Sequence, residues 1–286
     1  MDLVQTTPQR TAAPIHDVGI GLRSPHYADI ERDKPRVPWF EVLIDNYLNK
    51  GGAVRQHLQT IRQDYPITFH GVSMSIGSAD PINRDYLASL KQAMDEFEPV
   101  HISDHLCWSS INGQYSHDLL PLPYINNAVQ HVVERIQQVQ DVLQQQILIE
   151  NVSSYLQYNM SVMEEWEFLA EIAERADCYI LLDINNIYVS AFNQSFDPVH
   201  YIKAVPTERV REMHLAGYED QGTHLLDTHS EAVHPPVWEL YEQALQYVGA
   251  VPTLIEWDND IPDFSVLQQE AHTASEIMRK VSRDAA

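Results

Sequence analysis

Cationic side chains are scarce in this chain: 18 Lys and Arg stand against 41 Asp and Glu, a formal net charge of −23 over 286 residues. A nucleic-acid backbone needs a basic footprint, so no nucleic-acid partner is expected, and an anionic membrane surface is disfavoured on the same ground. Cysteine is nearly absent too. Cys107 and Cys178 make no disulfide framework, and a chain of this length needs none. No apolar run approaches the ~20 residues that span a bilayer. The opening stretch MDLVQTTPQRTAAPIHDVG lacks the apolar core of a signal peptide. These absences predict a cytoplasmic protein with no membrane association. Missing motifs narrow the chemistry further: no G-x-G-x-x-G loop follows the first apolar run, and neither a G-x-S-x-G elbow nor an H-E-x-x-H helix occurs.

What is present is a series of eight short apolar runs: VGIGLR (18–23), WFEVLID (39–45), PITFHGV (66–72), VHISDHL (100–106), ILIENVS (147–153), YILLDINN (179–186), VREMHLAG (210–217) and TLIEWDN (253–259). Between most of them lie segments of helical period, at 83–97, 124–144, 163–176, 236–248 and 264–281, with Asn83 and Asp263 where N-caps are useful. Strands alternating with helices predict parallel pairing through right-handed crossovers. The count of eight, and the missing phosphate loop, favour a single (β/α)8 barrel, the TIM-barrel form of the α/β class, over an open doubly wound sheet. Residues 1–16 read as a loose arm ahead of one barrel domain, 17–286.

In such barrels the active site lies at the C-terminal strand ends, and the ionisable residues of this chain gather there. Strand three ends in His70, strand four in Asp104 and His105, strand five in Glu150 and Asn151. Strand six ends in Asp183, Asn185 and Asn186, strand seven in His214, strand eight in Glu256 and Asp258, and the loop after strand seven carries His224, Asp227 and His229. Any one of these has an ordinary reading as a cap, a turn or a packed histidine. Six consecutive strands ending this way do not. Carboxylates facing one another across a cavity repel and resist desolvation unless cations compensate. The His–carboxylate mixture suits iron, manganese or zinc, and it exceeds one coordination sphere, so two or three bridged metals are expected. Period two puts His101, Ser103 and His105 on one face, with Asp104 on the other in a supporting role and His101 as buried structure. Cys107 reads as packing.

The motifs FHGVSMSIGS, ISDHLCW, LIENVSSY, LLDINNIYVSA, HLAGY, LLDTHS and LIEWD resemble those of the multinuclear non-haem iron-dependent oxidases, the group that includes the oxidase of methanobactin biosynthesis; the resemblance spans about residues 16–280. Members are similar in fold to xylose isomerases, which implies the same barrel. The resemblance also implies two to three iron ions, dioxygen as co-substrate, and oxidative modification of a ribosomally synthesised precursor peptide, frequently at cysteine. A small companion protein that binds the peptide leader is implied with it. Matched by motif, His70, His105, Glu150, Asp183, His214, Asp227, His229 and Glu256 are the implied metal ligands, with Glu150 as the bridge and Asn151 and Asn186 as further candidates. Glu150, Asp183 and His214 are the implied catalytic residues. Where the family carries a Glu-Asn-Tyr-like triplet, this chain has Asp45-Asn46-Tyr47. The competing reading is a redox-silent zinc or manganese isomerase or phosphodiesterase on the same barrel, against which stand the lack of a strand-end lysine and the scarcity of basic groups. A non-catalytic metal-binding protein is the third.

Overall fold

The computed structural model describes residues 14–48 and 51–284. Its strands are β1 (Val18–Gly21), β2 (Phe40–Leu43), β3 (Ile67–Gly71), β4 (Ile102–His105), β5 (Trp108–Ile111), β6 (Gln114–Leu120), β7 (Leu148–Glu150), β8 (Tyr179–Asp183), β9 (Val210–Leu215), β10 (Glu219–Asp220), β11 (Leu225–Leu226) and β12 (Thr253–Ile255). The helices are α1 (Tyr27–Asp33), α2 (Ala53–Asp64), α3 (Arg84–Phe97), α4 (Asn126–Leu143), α5 (Glu165–Ala176), α6 (Ile184–Gln194), α7 (Pro198–Ala204), α8 (Pro235–Val248) and α9 (Phe264–Asp284).

Eight strands close into one parallel barrel in the order β1-β12-β9-β8-β7-β4-β3-β2. All eight expected runs are in it. The strands are shorter than the apolar runs because the polar endings leave the sheet and form the mouth. Each strand is buried on both faces, which is why it reads as continuous Val, Ile and Leu. The outward face packs on the apolar stripes of the helices, for example Val129, Val132, Ile136 and Val139 of α4. The N-terminal end of the barrel is plugged by Trp39, Leu254 and Ile15. Gly19 makes room for the plug, since a Cβ there would lie 2.4 Å from the Trp39 ring. The expected arm therefore ends in a core residue, Ile15, while its residues 1–13 lie outside the described residues.

The expected helices appear as α3, α4, α5, α8 and α9. Two elements near the site were not legible as such. The stretch after strand six is a helix, α6, because Asp183 caps it: its Oδ1 accepts from the Asn186 N–H at 2.6 Å. Residues 108–120 form an antiparallel hairpin, β5–β6, inserted between β4 and α4. Asn83 caps α3 as expected, its side chain accepting from the backbone N–H groups of Asp85 and Tyr86 at 3.1 and 3.0 Å. Asn83→Ala is expected to lower stability by about 1 kcal/mol, as N-cap losses do, without touching the barrel mouth. Urea denaturation measures it; an unchanged midpoint would mean that the cap contributes nothing.

Candidate metal centre

Period two aims alternate residues of each barrel strand at the axis. Near the C-terminal end these are His70, His105, Glu150, Asp183, His214 and Glu256, all buried. Register brings neighbours level: His105 pairs with Glu150, and Asp183 with His214. Among the described residues the donor atoms form four overlapping groups, within each of which they lie no more than 4.8 Å apart: three at the mouth, namely His70, His105 and Glu150, then Glu150, Asp183, His214 and Glu256, then His229, Glu256 and Asp258, and a fourth below them, Glu41, Glu212 and His214. Glu150 belongs to the first two groups, Glu256 to the second and third, and His214 to the second and fourth. Ligands on one cation at about 2.0–2.3 Å sit at most ~4.5 Å apart, so each group has the span of one coordination sphere.

Tautomers decide what the first group can do. The His70 Nδ1–H donates to Ser103 Oγ at 2.8 Å, whose own hydroxyl donates to Phe69 O. The His105 Nδ1–H donates to Gly71 O at 3.2 Å. Both Nε2 atoms therefore carry lone pairs, and both face Glu150 Oε2, at 3.3 and 3.2 Å. That oxygen is buried and makes no hydrogen bond among the described residues. Burial, reinforced by neighbouring imidazoles, holds His70 well below the ordinary histidine range, and burial pushes His105 down to about 4, so both rings stay neutral. Two lone pairs against one carboxylate oxygen repel unless something positive lies between. A proton on Glu150 could serve one nitrogen; a metal ion serves both. Asp183 repeats the pattern, with Oδ1 in the α6 cap and Oδ2 buried without a hydrogen-bond partner. The donor set thus fits divalent metals of the iron, manganese and zinc kind, and the free oxygens are where such ions would bind.

His214 and His229 differ from this pair. Burial opposes their imidazolium forms, but carboxylates outweigh it: Glu41 and Glu256 hold His214 well above the usual range, and Asp227 and Glu256 do the same for His229. Arg23, at the end of β1, ion-pairs with Asp258, whose Oδ2 lies 3.1 Å from His229 Nδ1. Although burial opposes it, the hydrogen bond with His229 and the charge of Arg23 hold Asp258 far below the ordinary carboxylate range. Gly21 leaves the space that the guanidinium occupies, as a Cβ there would sit 2.8 Å from Arg23 Nη1. Above the three mouth groups lies a cavity of about 200 Å³. Its lining includes Leu43, Val72, Leu119 and Val152 among the polar groups, so it can hold a side chain or two rather than a folded segment. A groove of about 610 Å³ beside residues 156–167 shares no lining residue with the metal groups.

A family model described as the RiPP precursor modification enzyme MbnB/TglH/ChrH, RiPP standing for a ribosomally made, post-translationally modified peptide, matches residues 17–279. The chain belongs to this family. Among relatives of this chain, a UPF0276 protein of Acaryochloris marina is 57% identical over 260 residues, covering 91% of this chain and 94% of its own. One from Anaeromyxobacter is 51% identical, covering 91% and 92%. Solved structures with the same fold include a D-psicose 3-epimerase from Clostridium cellulolyticum, TM-score 0.61 at 11% identity, over 93% of this chain and 99% of that one. A xylose isomerase-like TIM barrel protein from Mycobacterium smegmatis in complex with magnesium also gives TM-score 0.61 at 11% identity, over 93% and 97%. These likenesses bear on the fold, which is the expected xylose-isomerase-like barrel.

Of the residues expected at the centre, His70, His105, Glu150, Asp183, His214, His229 and Glu256 fall within the three mouth groups. Asp227 stands beside them, 2.7 Å from His229 Nε2, and its carboxylate accepts from Asn185 and Ser153. The Asn151 amide is engaged at both atoms with the Asp183 backbone, at 3.0 and 2.9 Å, and so ties the ends of β7 and β8 together. Asn186 gives its Nδ2 to Asn151 O and keeps a buried Oδ1 without a hydrogen bond at the cavity wall. Asp45 lies outside the groups and accepts from the Val72 N–H. Asp104, on the outward face as expected, accepts from the Met74 and His105 N–H groups. Sequence reasoning missed Arg23, Glu41 and Glu212 altogether. A charged residue inside the otherwise apolar WFEVL was a signal, and so was the Glu212–His214 spacing of two, which puts both side chains on the interior face.

Burial pushes Asp183 up to about 7 and Glu150 well above the carboxylate range in the metal-free chain. A group whose pKa is raised by folding contributes stability that is present below the unfolded value and lost as pH rises through the folded one. His214 and His229 act in the same sense; His70 and His105, lowered by folding, act in the opposite sense, but their contribution runs out within about one pH unit above the unfolded histidine value of ~6.5. The metal-free chain should therefore melt lower at about pH 8 than at about pH 6.5, with Asp183→Asn or metal loading flattening the difference. A metal-free melting temperature that rises over this window would contradict the clustered centre.

Proposed function

We propose that the chain is an iron-dependent oxidase that uses dioxygen to modify a ribosomally synthesised precursor peptide at cysteine, with a small companion protein presenting the leader. The observation that carries the metal part is the pair of imidazole lone pairs, His70 Nε2 and His105 Nε2, aimed at one unpartnered oxygen of Glu150. In this reading His70, His105 and Glu150 hold one metal ion, Glu150, Asp183, His214 and Glu256 a second, and His229 and Glu256 a third with Asp258 or Asp227. Asn186 lends its free amide oxygen at the rim. Glu150, Asp183 and His214 are the catalytic residues in this reading, because they share the group of four donors that overlaps the others. Bound iron would supply the redox chemistry, with dioxygen as electron acceptor and the peptide as donor.

The chain's own residues set the conditions for that chemistry. Both cysteines are fully buried, and burial pushes the Cys107 thiol far up and that of Cys178 up to about 12. Neither supplies a thiolate, so a sulfur ligand has to come from the substrate. The apolar rim of Leu43, Val72, Leu119 and Val152 would exclude water around an entering side chain. The strongly acidic chain suits cations as ligands and a peptide of basic character as partner.

Protein purified without oxygen is expected to carry about two to three irons per chain, to consume oxygen, and to show exchange-coupled iron by Mössbauer spectroscopy. Glu150→Gln keeps the shape but removes a charge and most bridging ability, so coupling should vanish and iron content fall. Stoichiometric zinc with no iron-dependent oxygen uptake after reconstitution would overturn the oxidase reading in favour of a redox-silent enzyme.

A further inference from the structure

We propose that Glu41 and Glu212 are positioning residues for His214, Glu41 accepting its Nε2–H and Glu212 adding a second carboxylate below it, so that Nδ1 is the atom presented to the metals. The inference rests on the metal reading above. His214 Nε2 lies 3.2 Å from Glu41 Oε2 and 3.8 Å from Glu212 Oε1. Its Nδ1 lies 3.0 Å from Glu256 Oε2 and 3.7 Å from Glu150 Oε1. The ring therefore sits the opposite way round from His70 and His105, which anchor Nδ1 and present Nε2.

The anchors differ in charge as well. His70 and His105 donate to a hydroxyl and a carbonyl; His214 donates to a carboxylate. An anionic acceptor on the far N–H fixes the tautomer and makes the ligating nitrogen more basic. Glu212 is anchored in turn: its Oε2 lies 3.0 Å from His101 Nδ1, so a column of carboxylate and imidazole runs down the barrel axis from Glu256 to His101. Folding alone does not explain the pair. Glu41 and Glu212 are fully buried, and each keeps an Oε1 with no hydrogen bond. Among the described residues the Glu41 carboxylate hydrogen-bonds only to His214. Such carboxylates are costly to keep in a core, and apolar residues of similar size fold at least as well. Their use is at His214.

Zinc provides a diamagnetic probe of this arrangement. In full-length, zinc-loaded, 15N-histidine-labelled protein, the His214 resonances are identified by their loss in His214→Gln. They should report a protonated Nε2 and a metal-bound Nδ1, the reverse of His70 and His105. Glu41→Gln and Glu212→Gln should weaken the zinc site that contains His214 by roughly 10–100-fold, leaving the His70–His105 site within about twofold, and Glu41→Asp should recover part of the loss. Circular dichroism checks folding of each variant, and the wild-type NMR result needs only the His214→Gln assignment and neither glutamate variant. A wild-type chain that binds no metal takes down the metal reading and this inference together. A metal-loaded wild type with a protonated Nδ1 on His214, or folded Gln variants of unchanged affinity, overturns the inference alone. So does loss of one whole metal from the count with the His214 tautomer intact, because Glu41 and Glu212 would then be ligands themselves.

Discussion

Closure of the barrel forces imidazole lone pairs and carboxylate oxygens from six strands to face one another across a few ångströms, and much of the molecule can be understood as a response to that convergence. Without cations the arrangement is repulsive. The protein answers by letting protons stay on Asp183, Glu150, His214 and His229, each displaced upward from its ordinary range. It keeps His70 and His105 neutral. The metal-free centre is thus a set of protonated groups whose protons a bound metal ion would displace, which would couple loading to pH through ordinary linkage.

Around the centre, three of the rings have one nitrogen fixed by a partner outside the proposed ligand set. Ser103 and the Gly71 carbonyl serve His70 and His105, and Glu41 serves His214. Nitrogens fixed in this way lose little rotational freedom when an ion arrives. The Asn151 amide does the same for the backbone, locking the ends of β7 and β8 so that Glu150 and Asp183 keep their spacing. Rigidity comes from the strands, and access comes from the loops and the β5–β6 hairpin that narrow the mouth to about 200 Å³.

The distant fold relatives illustrate how little the barrel itself constrains the chemistry. A D-psicose 3-epimerase and this chain share a fold at 11% identity, while the motifs that carried the family resemblance sit almost entirely at strand ends. Barrel interiors tolerate many apolar fillings, whereas a set of metal donors tolerates few exchanges of type or position.

Much was legible without a structure. Eight apolar runs separated by helical periods imply a barrel, because period two and period 3.6 are local properties of the chain. The polar ends of those runs imply a mouth rich in metal donors, and period two correctly put His105 inward and Asp104 outward. The α6 helix was hidden because Asp183, Asn185 and Asn186 read equally well as a turn; only Asp183 Oδ1 meeting the Asn186 N–H distinguishes a cap. What the sequence could not decide was which nitrogen of each histidine points inward, and why Glu41 and Glu212 are inside. Those depend on heights along the axis between residues more than a hundred positions apart, such as Glu41 and His214 at 3.2 Å. Strand register and barrel stagger set those heights, and both are properties of the closed sheet rather than of any segment in it.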